Sequence, residues 1–247
     1  MSDYKVLNDL AYEYLRDMIY KSELEFGQIY SETKLARQLD ISRTPVRDAL
    51  NRLAHERFID ILPNRGFMLH MPTQADIDEA GHIRLMTECY CAGVLAADYP
   101  GEKARQTVKR MEKALDQQKQ LLENCADYSI SQFWHDDLVF HGALLDHLGI
   151  SSMILSYDTV MHIFMPHYLI RNPEMHQRDP YVLERHRSSV EEHAAILRAL
   201  KLDGDEAAVQ SAVQNAVRAH IQAGLCALIR RREDEKQAEK LLTEKGR

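Results

Sequence analysis

Residues Ser31 to Phe67, SETKLARQLDISRTPVRDALNRLAHERFIDILPNRGF, spell out a helix, a tight turn, a second helix with an arginine face, and a β-hairpin. Ser42 is suited to cap the free N–H groups that open the second helix, and Pro45 follows inside its first turn, where a missing donor costs little. Val46, Ala49, Leu50, Leu53 and Ala54 then recur at helical spacing on one face, while Arg43, Arg47 and Asn51 stand four apart on another. One face packs and the other is free to read.

Arginine presents a planar fork of donors that matches the two acceptors on a guanine edge in the major groove, and asparagine can do the same for adenine. Arg43 and Arg47 are therefore the leading candidates for base contact, with Ser42, Thr44 and Asn51 beside them. The preceding helix, roughly Ser31 to Asp40, turns Leu35, Ala36 and Leu39 inward and Lys34 and Arg37 outward, as suits a helix that crosses the phosphate backbone and positions the reader. Ile59 and Ile61 alternate with Asp60, and Pro63-Asn64-Arg65-Gly66 supplies turn residues before Phe67 and Leu69, which makes a wing with Arg65 and Gly66 at its tip. A helical hairpin with scattered arginines is by itself an ordinary solvated surface. The capped second helix, the arginine spacing and the Gly-ended wing together point to a winged helix-turn-helix that binds double-stranded DNA.

At 247 residues the chain is long enough for two domains, each able to bury its own core. Its net charge of -7 argues at first against a polyanionic partner, so the distribution decides. Residues 1–72 carry a net -1 and the remainder -6, yet within Thr33 to Phe67 the balance is +3. Basicity is local to the reading face. The four cysteines, Cys89, Cys91, Cys125 and Cys226, form no CxxC pair and read as reduced, buried thiols. No run of 18 apolar residues and no export signal is visible, so a cytoplasmic protein without a membrane partner is expected.

Leu7, Leu10, Ala11, Tyr14, Leu15 and Met18 predict an amphipathic first helix that closes a three-helix core. Beyond Pro72 and Thr73 the period is near 3.6, broken at Pro100-Gly101, near Asn124, at Gly149, across Asn172 to Pro180 and at Asp203-Gly204-Asp205. The fold class is mainly α. The expected domains are 1–72, a winged helix-turn-helix of three helices and a hairpin; 73–232, an all-helical bundle of about six helices; and 233–247, a charged tail.

Inside the helical part, ligand-type side chains stand where core residues belong. Asp137 and His141 lie four apart on a helix spanning about Asp127 to Leu148 and share a face with Trp134, Leu145 and Leu148. His193 is in line with Val190, Leu197 and Leu200, and His220 with Val213, Val217 and Leu228. A buried aspartate without a partner would cost several kcal/mol or be forced to protonate. One carboxylate with three imidazoles could hold a divalent metal, and that mixed set suits Zn, Ni, Mn or Fe, with positions left for water or an acidic ligand. A single core histidine is more often satisfied by hydrogen bonds alone. His162, His167, His176 and His186 have no such phase and read as surface or pocket-lining residues.

The segment LARQLDISRTPVRDALNRL with PNRGF resembles the winged helix of GntR-type bacterial transcription regulators. IRLMTECYCAGVLAA (Ile83 to Ala97), DLVFH (Asp137 to His141), SVEEHAAILRAL (Ser189 to Leu200) and AVRAHI (Ala216 to Ile221) resemble the FCD-type effector domain of the FadR-like branch. The resemblance implies that Asp137, His141, His193 and His220 are metal ligands, in agreement with the helical phase. It also implies a small carboxylate effector beside the metal, with Arg84 facing the pocket, a sensible role for an arginine fork. An internal pair of Arg84 with Glu88, four residues later, is the competing reading. The chain departs from many relatives in having Glu56-Arg57 where they place Gly, and Ile150-Ser151 where they place Asn. His193 and His220 are also about one helical turn farther apart than the pattern expects, a difference that the Leu202 to Glu206 connection could absorb.

The expected function is a homodimeric transcription regulator, a repressor whose binding to a palindromic operator is controlled by a small organic acid. The alternative is a metal-dependent hydrolase using the Asp/His site, since open metal positions could activate water. Against it, the sequence has no HExxH, no Gly-rich phosphate loop and no phased carboxylate to serve as a general base.

Overall fold

A computed structural model describes the backbone of residues 2–21, 23–124, 128–169 and 180–245, and side chains of residues 5–19, 21, 23–124, 128–158, 160–161 and 180–230. The elements run α1 (Ser2–Tyr20), α2 (Glu32–Gln38), α3 (Arg43–His55), β1 (Ile59–Leu62), β2 (Gly66–Leu69), α4 (Gln74–Asp98), α5 (Glu102–Glu123), α6 (Ile130–Leu148), α7 (Ser151–Leu169), α8 (Pro180–Leu200) and α9 (Glu206–Lys245). The chain is mainly helical, a helix-turn-helix with a two-stranded antiparallel hairpin followed by helices, as the periodicity predicts. Contacts group residues 1–73 with 159–176 in one unit and residues 74–158 with 177–247 in another. His162, His167, His176, Cys125 and residues 172–179 lie outside the residues whose side chains are described, as do the side chains of 233–247.

In the first unit α3 buries Val46, Ala49, Leu50 and Leu53, and α1 packs against it. The inward face of α1 differs from the expected one. Ala11, Tyr12, Leu15 and Ile19 are buried, whereas Leu10 and Tyr14 are exposed. Polar anchoring explains the rotation: the Tyr12 hydroxyl donates to Glu56 Oε2 at 2.6 Å, and the Arg52 guanidinium lies 3.6 Å from the Tyr12 ring centre. Hydrophobicity alone cannot see that bond.

Ser31 caps α2, its hydroxyl accepting from the Lys34 N–H at 3.4 Å. Ser42 occupies the N-cap position of α3 but makes no side-chain cap bond, which corrects the role expected of its hydroxyl. The Glu56-Arg57 departure has a clear solution. Arg57 takes a left-handed φ of 60, its N–H reaching Ala54 O at 3.0 Å and that of Phe58 reaching Leu53 O at 2.9 Å. Those two bonds close a Schellman motif without glycine, and the burial of Phe58 supports it.

The wing pairs Ile59 with Leu69 and Ile61 with Phe67, and burial falls along β1 until Ile61 is 42% exposed. Tyr30 adds a bridge that the alternation does not reveal, donating to Phe67 O at 2.7 Å and accepting from Phe67 N at 2.9 Å. That close approach requires glycine at position 66: φ is +124, and a Cβ there would stand 2.0 Å from Tyr30 O.

In the second unit α4 packs on α9 and α6, and α5 packs on α6 and α8. Gly93 lets α4 approach α9, where a Cβ would meet Gln214 Nε2 at 2.6 Å. The α5 stripe Ala104, Val108, Met111, Leu115 and Gln118 is buried at heptad spacing. Gly149 ends α6 in the left-handed region with φ 73, its N–H bonded to Leu145 O at 2.9 Å. Cys89 and Cys91 are buried as expected, but Cys226 is exposed, because it faces away from the apolar stripe of α9 that holds Val213, Val217 and Leu228. Among the described residues no helix is long and apolar enough to cross a membrane.

Gly66→Ala is expected to destabilise the first unit by about 2 kcal/mol or more, through its backbone strain and the Tyr30 clash. Gly142→Ala in α6, where an added Cβ meets nothing within 4 Å, should instead stabilise by about 0.5–1 kcal/mol. Urea denaturation followed by circular dichroism checks the pair, and a Gly66→Ala protein as stable as the parent would contradict the wing packing.

Candidate functional site

The first unit exposes a coherent set of polar residues. On α3, Arg43, Thr44, Arg47 and Asn51 are solvent-facing behind an exposed Ser42, and Lys34 and Arg37 are exposed on α2. Arg65 is exposed in the hairpin turn, and the half-buried Gly66 follows it. Apolar burial on the opposite side of α3 is what turns these side chains outward. Arg47 is not free: its Nη2 donates to Glu32 Oε1 at 3.0 Å and its Nε to Glu32 Oε2 at 3.4 Å.

The second unit brings histidines from three helices to one point. His141 of α6, His193 of α8 and His220 of α9 are buried, and their ligand atoms lie within 4.8 Å of one another. His141 Nε2 stands 3.2 Å from His193 Nε2 and 3.1 Å from His220 Nε2. Residues 201–205 separate α8 from α9, and His220 joins the cluster despite the longer spacing. Asp137, one turn before His141, sits at the edge, with Oδ1 3.5 Å from His193 Nε2 and Oδ2 3.7 Å from His141 Nε2.

Partners on the outer side of each ring decide where its proton lies. His193 Nδ1 is 2.9 Å from Gln118 Oε1, and the same amide donates through Nε2 to Asp137 Oδ1 at 3.3 Å. His220 Nδ1 donates to Glu192 Oε2 at 2.7 Å, and Arg185 grips Glu192 with two bonds of 2.7 Å. His141 Nδ1 stands 2.7 Å from Glu88 Oε2, although its N–H is not aimed along that line, and Arg84 Nη2 approaches His141 Nε2 at 3.4 Å. An ionised carboxylate only accepts and a guanidinium only donates. Gln118 and Glu192 therefore hold the protons of His193 and His220 on Nδ1, and the Nε2 atoms of all three rings converge.

Such a set fits a divalent cation. Imidazole–metal bonds of about 2.0–2.1 Å, at angles between octahedral and tetrahedral, hold donor atoms roughly 2.9–3.4 Å apart. The observed separations of 3.1 and 3.2 Å fall inside that range. Acceptors behind each ring are the outer partners that orient metal-binding imidazoles.

Arg84 is buried and donates from Nε to Glu88 Oε1 at 2.7 Å, so the internal pair is present, while its Nη2 approaches His141. Tyr157 donates to the same Glu88 oxygen at 2.7 Å. Burial would raise the Glu88 pKa, but Arg84 and His141 outweigh it and hold this carboxyl well below the usual range. Burial pushes Tyr157 upward, and Glu88 adds to the effect, so it remains a neutral donor. His193 is held well below an ordinary imidazole by burial and by the neighbouring histidines, and His220 is lowered by burial despite its bond to Glu192.

Sequence reasoning missed Gln118, Glu192, Tyr157 and the role of His186. Gln118 carried a readable signal, a polar residue in phase with the α5 apolar stripe. Glu192 and Tyr157 had none, since their roles depend on helices distant in sequence. His186 is buried, stacked on Phe133 with ring centres 3.9 Å apart, and its Nδ1 accepts from the Tyr128 hydroxyl. Burial pushes its pKa down to about 3.

Residues 7–69 match the family described as bacterial regulatory proteins, gntR family, and residues 79–223 match the FCD domain. The chain is 28% identical over 218 residues to the HTH-type transcriptional repressor RspR of Escherichia coli (strain K12), covering 87% of this chain and 86% of that protein. It is 24% identical over 202 residues to the gluconate operon transcriptional repressor of Bacillus licheniformis, covering 81% and 78%. The solved structure of E. coli McbR/YncC shares the fold, with a TM-score of 0.64 at 21% identity, covering 91% of this chain and 98% of that one.

Because the folded His186 titrates near 3 and an unfolded histidine near 6.5, the unfolded chain binds the extra proton between those values and stability falls as pH drops through that window. Between pH 6.5 and 5, the His186→Phe variant is expected to lose less stability on acidification than the parent, by up to about 1.4 kcal/mol per pH unit. Urea titrations with chelator present, at several pH values, measure the two slopes; equal slopes would contradict a neutral buried His186.

Proposed function

Because the chain belongs to the GntR family of bacterial regulators and carries its FCD domain, we propose that this DNA-binding transcription regulator is a homodimeric repressor controlled by a small carboxylate held beside a divalent metal. As a member of a regulator family it is not an enzyme, which sets aside the hydrolase alternative. Residues 1–72 read a palindromic operator, 73–232 hold metal and effector and form the dimer, and 233–247 are an appended charged tail. Arg43 and Arg47 contact bases with Thr44, Asn51 and Ser42 alongside, while Lys34, Arg37, Arg65 and Gly66 engage the phosphate backbone and groove edge. The names of two relatives as repressors support the sign of regulation.

The observation that carries the sensing half is the convergence of three buried Nε2 atoms from α6, α8 and α9. His141, His193 and His220 hold the metal with Asp137 as a fourth ligand, and the imidazole-rich set favours Zn, Ni, Mn or Fe. When bound, the cation offers an open position to a carboxylate oxygen. Arg84 serves the same ligand. Its Nε donates to Glu88, and its Nη2 lies on the His141 side of the site. Charge supports one anion: Arg84 balances Glu88 and Arg185 balances Glu192, so Asp137 alone leaves a divalent site with a net charge of about +1. A sugar acid is the first class to test, given the gluconate operon relative.

The test is fluorescence anisotropy on DNA from upstream of the chain's own gene, with random DNA as control. Specific, salt-dependent binding lost in Arg43→Ala/Arg47→Ala is expected. Gluconate and related acids should weaken it with metal present and leave it unchanged after chelation. In zinc competition titrations, Gln118→Ala should reduce metal affinity about 10–100-fold by freeing His193 and Asp137, and His193→Ala should reduce it further. Zinc affinity unchanged in both variants would refute the site.

A further inference from the structure

Glu32 opens α2 and reaches across the turn to the recognition helix, where it takes Arg47 by the edge that carries Nε and Nη2. The pair is solvent-accessible, with side-chain exposures of 60% for Arg47 and 23% for Glu32. An exposed pair contributes little to stability, because solvent screens it and holding two long side chains costs entropy. A carboxylate beside a DNA-facing arginine also lowers affinity for every sequence, because binding to the phosphate backbone draws on positive charge. The arrangement gains little in stability and loses non-specific affinity, which leaves geometry as its product.

Arginine has five N–H donors in one plane. Glu32 occupies the Nε proton and one proton of Nη2. What remains is the end-on edge, the outer Nη2 proton beside an Nη1 proton, a parallel pair suited to two acceptors. We propose that Glu32 is a specificity-determining positioning residue: it fixes the plane of the Arg47 guanidinium and leaves only the end-on edge to pair with O6 and N7 of a guanine in the major groove. Without it Arg47 can rotate about its side-chain torsions, offer either edge, or fold back onto a phosphate, and its preference for guanine loosens. The inference rests on the reading that Arg47 contacts a base.

Selection of binding sites from a randomised duplex pool, followed by competition titrations on the winners, tests it with the full-length parent, Arg47→Ala and Glu32→Gln. Arg47→Ala should erase a guanine preference at one position of each half-site. Glu32→Gln should weaken that same preference at least about fivefold, leave the other positions unchanged, and keep or raise affinity for random DNA. Loss of the guanine in Arg47→Ala with full retention in Glu32→Gln would overturn the positioning role alone. A uniform loss of affinity over all sequences in Glu32→Gln would overturn it as well, since that is the signature of a merely structural carboxylate. An unchanged preference in Arg47→Ala would remove the base-contact reading and the inference with it.

Discussion

Three buried imidazoles that converge through Nε2 are the constraint around which the second unit is arranged. Gln118, Glu192 and Glu88 stand behind His193, His220 and His141, and each carboxylate among them needs its own cation, Arg185 in one case and Arg84 in the other. One central requirement thus recruits side chains from α4, α5, α6, α8 and α9. Removing any single partner would strand a charged or polar group in a region where an unpaired one costs several kcal/mol. Packing of the apolar stripes brings the helices together, but this network defines which rotation of each helix is acceptable.

Much of this was legible in the sequence, and the illegible part has a common physical character. Periodicity located the helices, the breaks at Gly149 and Asp203-Gly204-Asp205, and the inward phase of Asp137, His141, His193 and His220, because burial of apolar neighbours sets phase locally. It failed on α1, where the Tyr12–Glu56 bond spans 44 residues and turns Leu10 and Tyr14 outward. It likewise could not find Glu192, Tyr157 or the Tyr30 bridge to the wing, whose partners lie far along the chain. Local patterns reveal which face is buried. They do not reveal which polar group waits on the other side of the contact.

The reading face shows the same division. Composition alone argued against a nucleic-acid partner, with a net charge of -7, and only the local distribution around α2, α3 and the wing restored it. The arginine spacing was visible, whereas the fork that holds Arg47 to Glu32 was not, because it joins residues 15 positions apart across the turn at Asp40. That turn uses a left-handed Asp40 with φ 52, a conformation that aspartate tolerates better than most residues, and thereby sets the approach of α2 to α3.

Metal binding and folding of the helical unit should be linked rather than merely coexist. His141 Nε2 stands 3.2 and 3.1 Å from the Nε2 atoms of His193 and His220, beside a carboxylate, a crowding of donor atoms that a cation would relieve. Any cation that binds the folded arrangement and not the unfolded chain adds stability that grows with the logarithm of its concentration over its Kd. In the proposed reading, an acid that coordinated beside such a cation would act on side chains carried by α6, α8 and α9. Its differential affinity for two arrangements of those helices would then set the largest shift it could impose on DNA binding. A ligand touching only a rigid surface pocket would have no comparable leverage. The buried location of these polar groups supports that reading, since a change in their coordination cannot be absorbed by solvent and must be met by the helices that carry them.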